Sequence, residues 1–140
     1  FSVFPELTFA TKDSTSTTIQ EIYAKNDYTL LTFFSPTCQH CIDRMPELKK
    51  FMANLKEKYP AKNTQWVTIL NDTDETKWIA FLEKNQLESA AINLKSIDPT
   101  KAYQHQLNAY SNPTYFLLDK EGKVVLKSFN NKAILEIINK

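Results

Sequence analysis

The chain reads as an α/β domain, a mixed central sheet with helices on both faces. Three observations lead there. "YTLLTFFS" (Tyr28–Ser35) and "TQWVTIL" (Thr64–Leu70) are almost continuously apolar, β-branched or aromatic, as strands covered on both sides are. Between them the apolar period lengthens: Cys41, Ile42, Met45, Leu48, Met52, Leu55 and Tyr59 recur every three or four residues and make one helix face. Near the end, "PTYFLLDKEGKVVLKSF" (Pro113–Phe129) is two apolar runs around Lys120-Glu121-Gly122, a hairpin pattern with the chain's only glycine at the turn.

Taken in order, Leu7–Ala10 is expected as a short strand and Thr11–Thr18 as a polar connection. A short helix comes next over Thr18–Lys25, with Ile19, Ile22 and Tyr23 on one face. The strand Tyr28–Ser35 leads into the long helix from Cys38, which Pro46 should kink and Pro60 should help to end. After Thr64–Leu70, "DTDETKWIAFLEKNQL" (Asp72–Leu87) opens with Asp72 and Glu75 at capping-box spacing and continues as an amphipathic helix. Residues 90–97 suggest another strand, Pro99–Ala109 a short helix, and Asn131–Ile138 a closing helix. Two strand-helix-strand units plus one antiparallel edge give the mixed sheet.

At 140 residues the chain is expected to be one domain, 1–140, with a core that needs no staples. Seventeen basic and 16 acidic residues leave a charge of +1, which gives no reason to expect nucleic acid as a partner. The lysines Lys49, Lys50, Lys56 and Lys58, interleaved with glutamates, read as a solvated helix face. No apolar run reaches the roughly 18 residues of a membrane span. The first residue is Phe1, not Met, which suits a processed product or an excised piece.

Both cysteines lie in "SPTCQHCIDRMP" (Ser35–Pro46), three residues apart where a buried strand ends and a helix begins. That spacing puts both sulfurs on one side of the first turn, close enough to bond. Unpaired N–H groups and the positive end of the helix dipole favour a thiolate at Cys38, the attacking form. A protonated His40 would stabilise that thiolate further; the plain alternative is an exposed spacer. A structural disulfide has little to do in a domain this size. A metal site would have only Cys38, Cys41, His40 and His105 to draw on, with His40 awkwardly placed beside Cys41 and His105 far along the chain. No metal is therefore expected. Trp66 and Trp78 read as packing residues, His105 as an exposed helix residue, and Asn71-Asp72-Thr73 matches a glycosylation acceptor pattern.

"CQHC" after an apolar strand, Pro46 eight residues beyond Cys38, and "NPTYFLLDKEGKVV" resemble the thioredoxin superfamily. "YTLLTFFSPTCQHC", "DTDETKW" and the extra strand and helix before Pro113 are similar to the TlpA/ResA-like thiol–disulfide oxidoreductases of the bacterial envelope, over roughly residues 5–138. The resemblance implies a thioredoxin-like fold with an N-terminal extension at 1–27 and an insert at 88–110 before a cis-proline strand. It implies Cys38 as nucleophile, Cys41 as resolving cysteine, and Pro113 as the cis-proline facing them. His40 and Pro113 would support the pair, and Thr37, Gln39, Asn112 and Pro113 would line the substrate groove. No cofactor beyond the Cys38–Cys41 disulfide is implied. Protein thiols or disulfides would be the substrates, an upstream thiol–disulfide donor the supplier of electrons, a monomer the unit, and the periplasm-facing envelope the place. Other readings are a thioredoxin-fold module that holds a cysteine-bearing partner without turnover, and a metal-binding C-x-x-C domain.

The chain departs from that family in four places. Thr37 stands where tryptophan often precedes the first cysteine, Thr32 where many members bury an acid, and Arg44 where the ResA-like group often has glutamate. Asn112 stands where Val, Thr or Ile commonly precedes the proline. Asp43 and Glu47 are the acids nearby that would have to accept the second thiol's proton.

Overall fold

The structure is a computed structural model that describes residues 2–98 and 100–140. Its elements are β1 (Thr8–Ala10), β2 (Ser16–Thr18), α1 (Ile19–Tyr23), β3 (Tyr28–Phe34), α2 (Gln39–Lys58), β4 (Thr64–Leu70) and α3 (Glu75–Lys84). Then come β5 (Ile92–Ser96), α4 (Ala102–Leu107), β6 (Thr114–Asp119), β7 (Val124–Leu126) and α5 (Asn131–Ile138). The strands form one sheet in the order β2-β1-β5-β4-β3-β6-β7.

The centre is parallel, β3 beside β4 and β4 beside β5, while β6 runs antiparallel on the other side of β3. Two successive crossovers step the same way across the sheet, and right-handedness then sends α2 and α3 to the same face. Alternation along the strands divides the core accordingly. Leu30, Phe34, Trp66, Leu70, Tyr115 and Leu117 pack with α2, α3 and α5. Leu31, Phe33, Val67, Ile69, Phe116 and Leu118 pack with α1 and α4 on the opposite face. Trp66 and Trp78 are both fully buried packing residues.

Several boundaries differ from expectation. The polar stretch 11–18 contains β2, which pairs with β1 (Thr8 opposite Thr18) around a turn closed by the Thr11 and Ser14 amides. β1 in turn lies antiparallel to β5, burying Phe9 and Ala10, so the sheet has antiparallel strands at both edges and not one. Such a hairpin covers the open side of β5 that the parallel units leave behind. α3 is capped by Asp74, whose side chain accepts the Lys77 amide at 3.0 Å, because Asp72 is engaged elsewhere. Glu75, the expected partner in a capping box, reaches Lys95 Nζ at 2.8 Å instead. α2 continues through Pro46 for 20 residues. Ile42, expected on the buried face of α2, is one of the exposed large apolar residues. The expected start of the short helix at Pro99 lies outside the described residues; the helix itself is α4. Among the described residues no helix is long and apolar enough to cross a membrane.

Gly122 occupies the turn between β6 and β7 with φ +81°, a conformation L side chains rarely adopt. A Cβ there would lie 2.4 Å from the Tyr23 ring. The flanking bonds, Asp119 Oδ1 to the Glu121 and Lys123 amides at 3.0 and 2.9 Å, leave the turn little room to relax. Gly122→Ala should therefore lower stability by more than about 1 kcal/mol, read as a shift of the urea midpoint.

Under the site, Thr32 is fully buried and its hydroxyl accepts the Trp66 indole N–H at 3.1 Å. At this position the chain has a neutral hydroxyl with a fixed partner. Thr32→Val should cost about 1–3 kcal/mol by orphaning the indole N–H, measured by urea denaturation. A neutral outcome would mean that the indole finds another acceptor.

Candidate active site

β3 ends at Phe34, and Ser35, Pro36 and Thr37 carry the chain over to α2. Cys38 is the N-cap of that helix, with extended φ/ψ (−81°, 119°), and its Sγ accepts the Cys41 amide at 3.3 Å. The backbone turns here because a cap must leave the helical region while its side chain meets an orphan N–H. A negative charge on this sulfur would face an N–H donor and the positive end of a 20-residue helix. Cys38 is half-buried, whereas Cys41 is 1% exposed and belongs to the core under α2. Both are free thiols.

Burial, and after it the hydrogen bond to Cys38, pushes the Cys41 thiol up to about 12, with the Ser35 backbone acting in the other direction. Part of that shift comes from Cys38 itself. Once Cys38 is covalently bound to another sulfur, its hydrogen bond and its charge no longer hold the proton on Cys41, and burial remains, opposed by the backbone around Ser35 and Cys41.

The loop before β6 closes over the pair. The Asn112–Pro113 peptide bond is cis, and the Asn112 carbonyl accepts the Cys38 thiol at 3.5 Å. The chain thus brings Cys38, Cys41, Asn112 and Pro113 together from segments more than 70 residues apart. Thr37 joins through its hydroxyl, 2.9 Å from Ser35 Oγ, which donates to Asp72 Oδ2 at 3.0 Å. The Thr73 amide, opposed by partial burial and aided by Ser35, holds the Asp72 carboxyl below the usual carboxylate range. Asp72 therefore ties the end of β4 to the turn before Cys38, a role that its capping-box spacing in the sequence concealed.

Gln39 and His40 are exposed on the first turn; Gln39 donates to Asp43 at 2.9 Å, and the His40 imidazole makes no hydrogen bond among the described residues. Asp43 and Glu47 are exposed, one taken by Gln39 and the other facing Arg44 at 3.5 Å, so neither is a buried acid beside Cys41. Arg44 also lies over the Phe129 ring, 5.8 Å from its centre. The neighbour that sequence reasoning missed is Tyr115. Burial raises its hydroxyl pKa, while the charges of Arg44 and Cys41 act on it in opposite senses. Its place two residues beyond Pro113, on the strand face that α2 covers, was the available signal. His105 is 3.1 Å from the Tyr110 hydroxyl, far from this cluster in sequence, and no three His, Cys, Asp or Glu side chains among the described residues are gathered as a metal site would need. Asn71, the glycosylation candidate, is buried with its amide bonded at both ends and is not presented to a modifying enzyme.

A family model described as thioredoxin-like matches residues 26–124, from just before β3 to the start of β7. The chain belongs to this thioredoxin-like family. Comparison with curated proteins finds no match. Solved structures of the same fold include a domain of a possible thiol-disulfide isomerase from Cytophaga hutchinsonii, with TM-score 0.81 and 18% identity over 99% of this chain and 89% of that one. The thioredoxin domain of a thiol-disulfide oxidoreductase from Bacteroides vulgatus superposes with TM-score 0.79 and 20% identity, covering 99% and 96%. A thiol:disulfide interchange protein from a Bacteroides species gives 0.75 and 18%, covering 99% and 90%. At these identities the likeness is one of fold, and the thioredoxin-like residues 26–124 hold β3, both cysteines, Asn112 and Pro113.

The asymmetry of the thiols has two measurable outcomes. Alkylation of the reduced protein at neutral pH should label Cys38 first and Cys41 only on unfolding, as peptide mapping would show; first labelling of Cys41 would reverse the assignment. The folded protein also keeps the Cys41 proton up to about pH 12, whereas the unfolded chain loses it near 9. The neutral buried thiol thus contributes fully below pH 9, and stability should fall as pH rises from 9 towards 12. Tyr103, raised by burial to about 12, adds to the same decline from about pH 10. Cys41→Ser should flatten the first part of that slope in urea midpoints measured against pH.

Proposed function

We propose that this protein is a thiol–disulfide oxidoreductase that reduces protein disulfides through Cys38 and Cys41. The observation that carries the proposal is the pairing of a half-exposed sulfur at a helix N-cap with a buried thiol one turn on, under the Asn112 carbonyl. The Cys38 thiolate attacks one sulfur of a substrate disulfide; a new S–S bond forms, the old one breaks, and the departing thiolate takes up a proton. Cys41 then gives up its proton and attacks Cys38 Sγ, releasing the second substrate sulfur as a thiolate that is protonated in turn. The products are a substrate dithiol and the Cys38–Cys41 disulfide, so two electrons pass from protein to substrate. The residues supply the chemistry without any cofactor beyond that disulfide.

The direction rests on the likeness to the TlpA/ResA-like group, and it requires an upstream thiol–disulfide donor that returns the pair to the dithiol. The same likeness supports a monomer working at the bacterial envelope, facing the periplasm. The Asn112 carbonyl reaches the half-exposed sulfur, and on this reading Thr37, Gln39, Asn112 and Pro113 form the groove for the substrate segment. Reading the domain as a module that only holds a cysteine-bearing partner makes the opposite prediction about turnover. In an insulin-reduction assay with dithiothreitol the wild type should turn over, and Cys38→Ser should fall to background. Cys41→Ser should accumulate a mixed disulfide with substrate, visible on a non-reducing gel, that Cys38→Ser does not form. Absence of turnover together with a stable Cys41→Ser adduct would favour the holding module.

A further inference from the structure

Asn71 comes directly after the last residue of β4 and is buried at the end of the sheet, behind the loop that carries Asn112. Its side chain is bonded at both ends. Nδ2 donates to the Ala109 carbonyl and to Asn112 Oδ1, each at 2.9 Å. Oδ1 accepts from the Tyr103 hydroxyl at 2.8 Å and from Gln104 Nε2 at 2.7 Å. A carbonyl oxygen accepts only, so the atom facing Ala109 must be nitrogen, and the two ends of the Asn71 amide cannot be exchanged. Tyr103 agrees, because burial keeps its hydroxyl protonated as a donor up to about pH 12.

The orientation passes outward by one residue. Whatever Asn112 offers to the Asn71 nitrogen must be an acceptor, so Asn112 Oδ1 is committed inward. Its Nδ2 then keeps two N–H donors, for which no acceptor is found among the described residues. The same residue's carbonyl sits 3.5 Å from Cys38 Sγ, so these donors belong to a residue in direct contact with the reactive sulfur. The side chain of a hydrophobic residue at this place would offer a bound segment no hydrogen bond.

We infer that Asn71 is a positioning residue that fixes Asn112 as a hydrogen-bond donor to a carbonyl oxygen of the protein segment bearing the disulfide attacked by Cys38. This rests on the thiol–disulfide reading above and adds to it a selection for extended polypeptide over small disulfides, since the pairing is made only when a backbone lies in the groove.

The test compares rates of reduction of insulin and of bis(2-hydroxyethyl) disulfide by the reduced protein. Asn112→Asp keeps an oxygen for Asn71 and replaces the donors by a second acceptor. The ratio of the two rate constants should fall about tenfold, the usual scale for losing one hydrogen bond and leaving an acceptor unpaired. The ratio is read because the added charge acts on Cys38 in both reactions. Asn71→Ala should lower the same ratio by a smaller factor, as Asn112 becomes free to rotate. In case that variant does not fold, side-chain amide NMR of the wild type provides a second measurement. Asn71 NH2 protons should exchange slowly and Asn112 NH2 protons fast. A mixed disulfide of Cys41→Ser with a cysteine peptide should then slow those of Asn112. An unchanged ratio in Asn112→Asp, or slow exchange at Asn112 in the free protein, overturns the inference alone. A wild type inert towards both disulfides overturns the thiol–disulfide reading, and the inference with it.

Discussion

In the parallel pairing of β3 with β4, Phe34 lies opposite Leu70, and the next amide, that of Asn71, donates to the Phe34 carbonyl at 2.7 Å. Both strands therefore leave the sheet at one level, and the segments that emerge from them meet. After β3 come Ser35, Thr37 and Cys38; after β4 come Asn71 and Asp72. The Ser35–Asp72 bond and the Asn71–Asn112 bond exist because this register brings those residues side by side. A slip of one residue would turn every side chain of the strand to the other face and separate both pairs. The antiparallel pairing of β6 completes the arrangement by setting Thr114 opposite Phe33, which delivers Pro113 to the same end.

The two sulfurs differ although they share a helical turn and are three residues apart. Cap geometry keeps the first at the surface, where it meets an amide; the helix period turns the second into the layer formed by Leu30, Trp66 and Trp78. The difference between them is thus a property of helix geometry combined with a covered face, with no need for a dedicated charged group. That agrees with the neutral hydroxyl of Thr32 and with the engagement of Asp43 and Glu47 by their own helix neighbours.

Periodicity made most of the architecture legible. β3, β4, α2 and α5 could be placed almost to the residue, because each is a long run with a single dominant pattern. What could not be read was set by partners distant in the chain. Ser16–Thr18 looks like a polar linker and becomes a strand only because β1 lies beside it, and Ile42 fits the apolar stripe yet lies at its exposed margin. The cysteines were visible from spacing and context, while Asn112 and Pro113 entered only through the resemblance to the thioredoxin superfamily. Asn71 looked like part of a modification pattern, and Tyr115 was only one residue of an apolar run. Their significance comes from which loop or thiol the fold sets against them, and one-dimensional patterns do not carry that.

At the far end of the sheet, the segment at residues 2–4 is stitched to the β6–β7 turn: Phe4 donates to the Gly122 carbonyl, Val124 to that of Ser2, and Val3 bridges Lys123. Tyr28, the first residue of β3, pairs with Asp119 beside that turn, and Cys38 lies just past the other end of the same strand. The seven residues of β3 span roughly 23 Å at about 3.3 Å each. Anything joined ahead of Ser2, such as an affinity tag, a fusion partner or a linker to a solid support, leaves the body on the side remote from the sulfurs. Such a handle would hold the molecule from behind, with its reactive edge turned towards the solution.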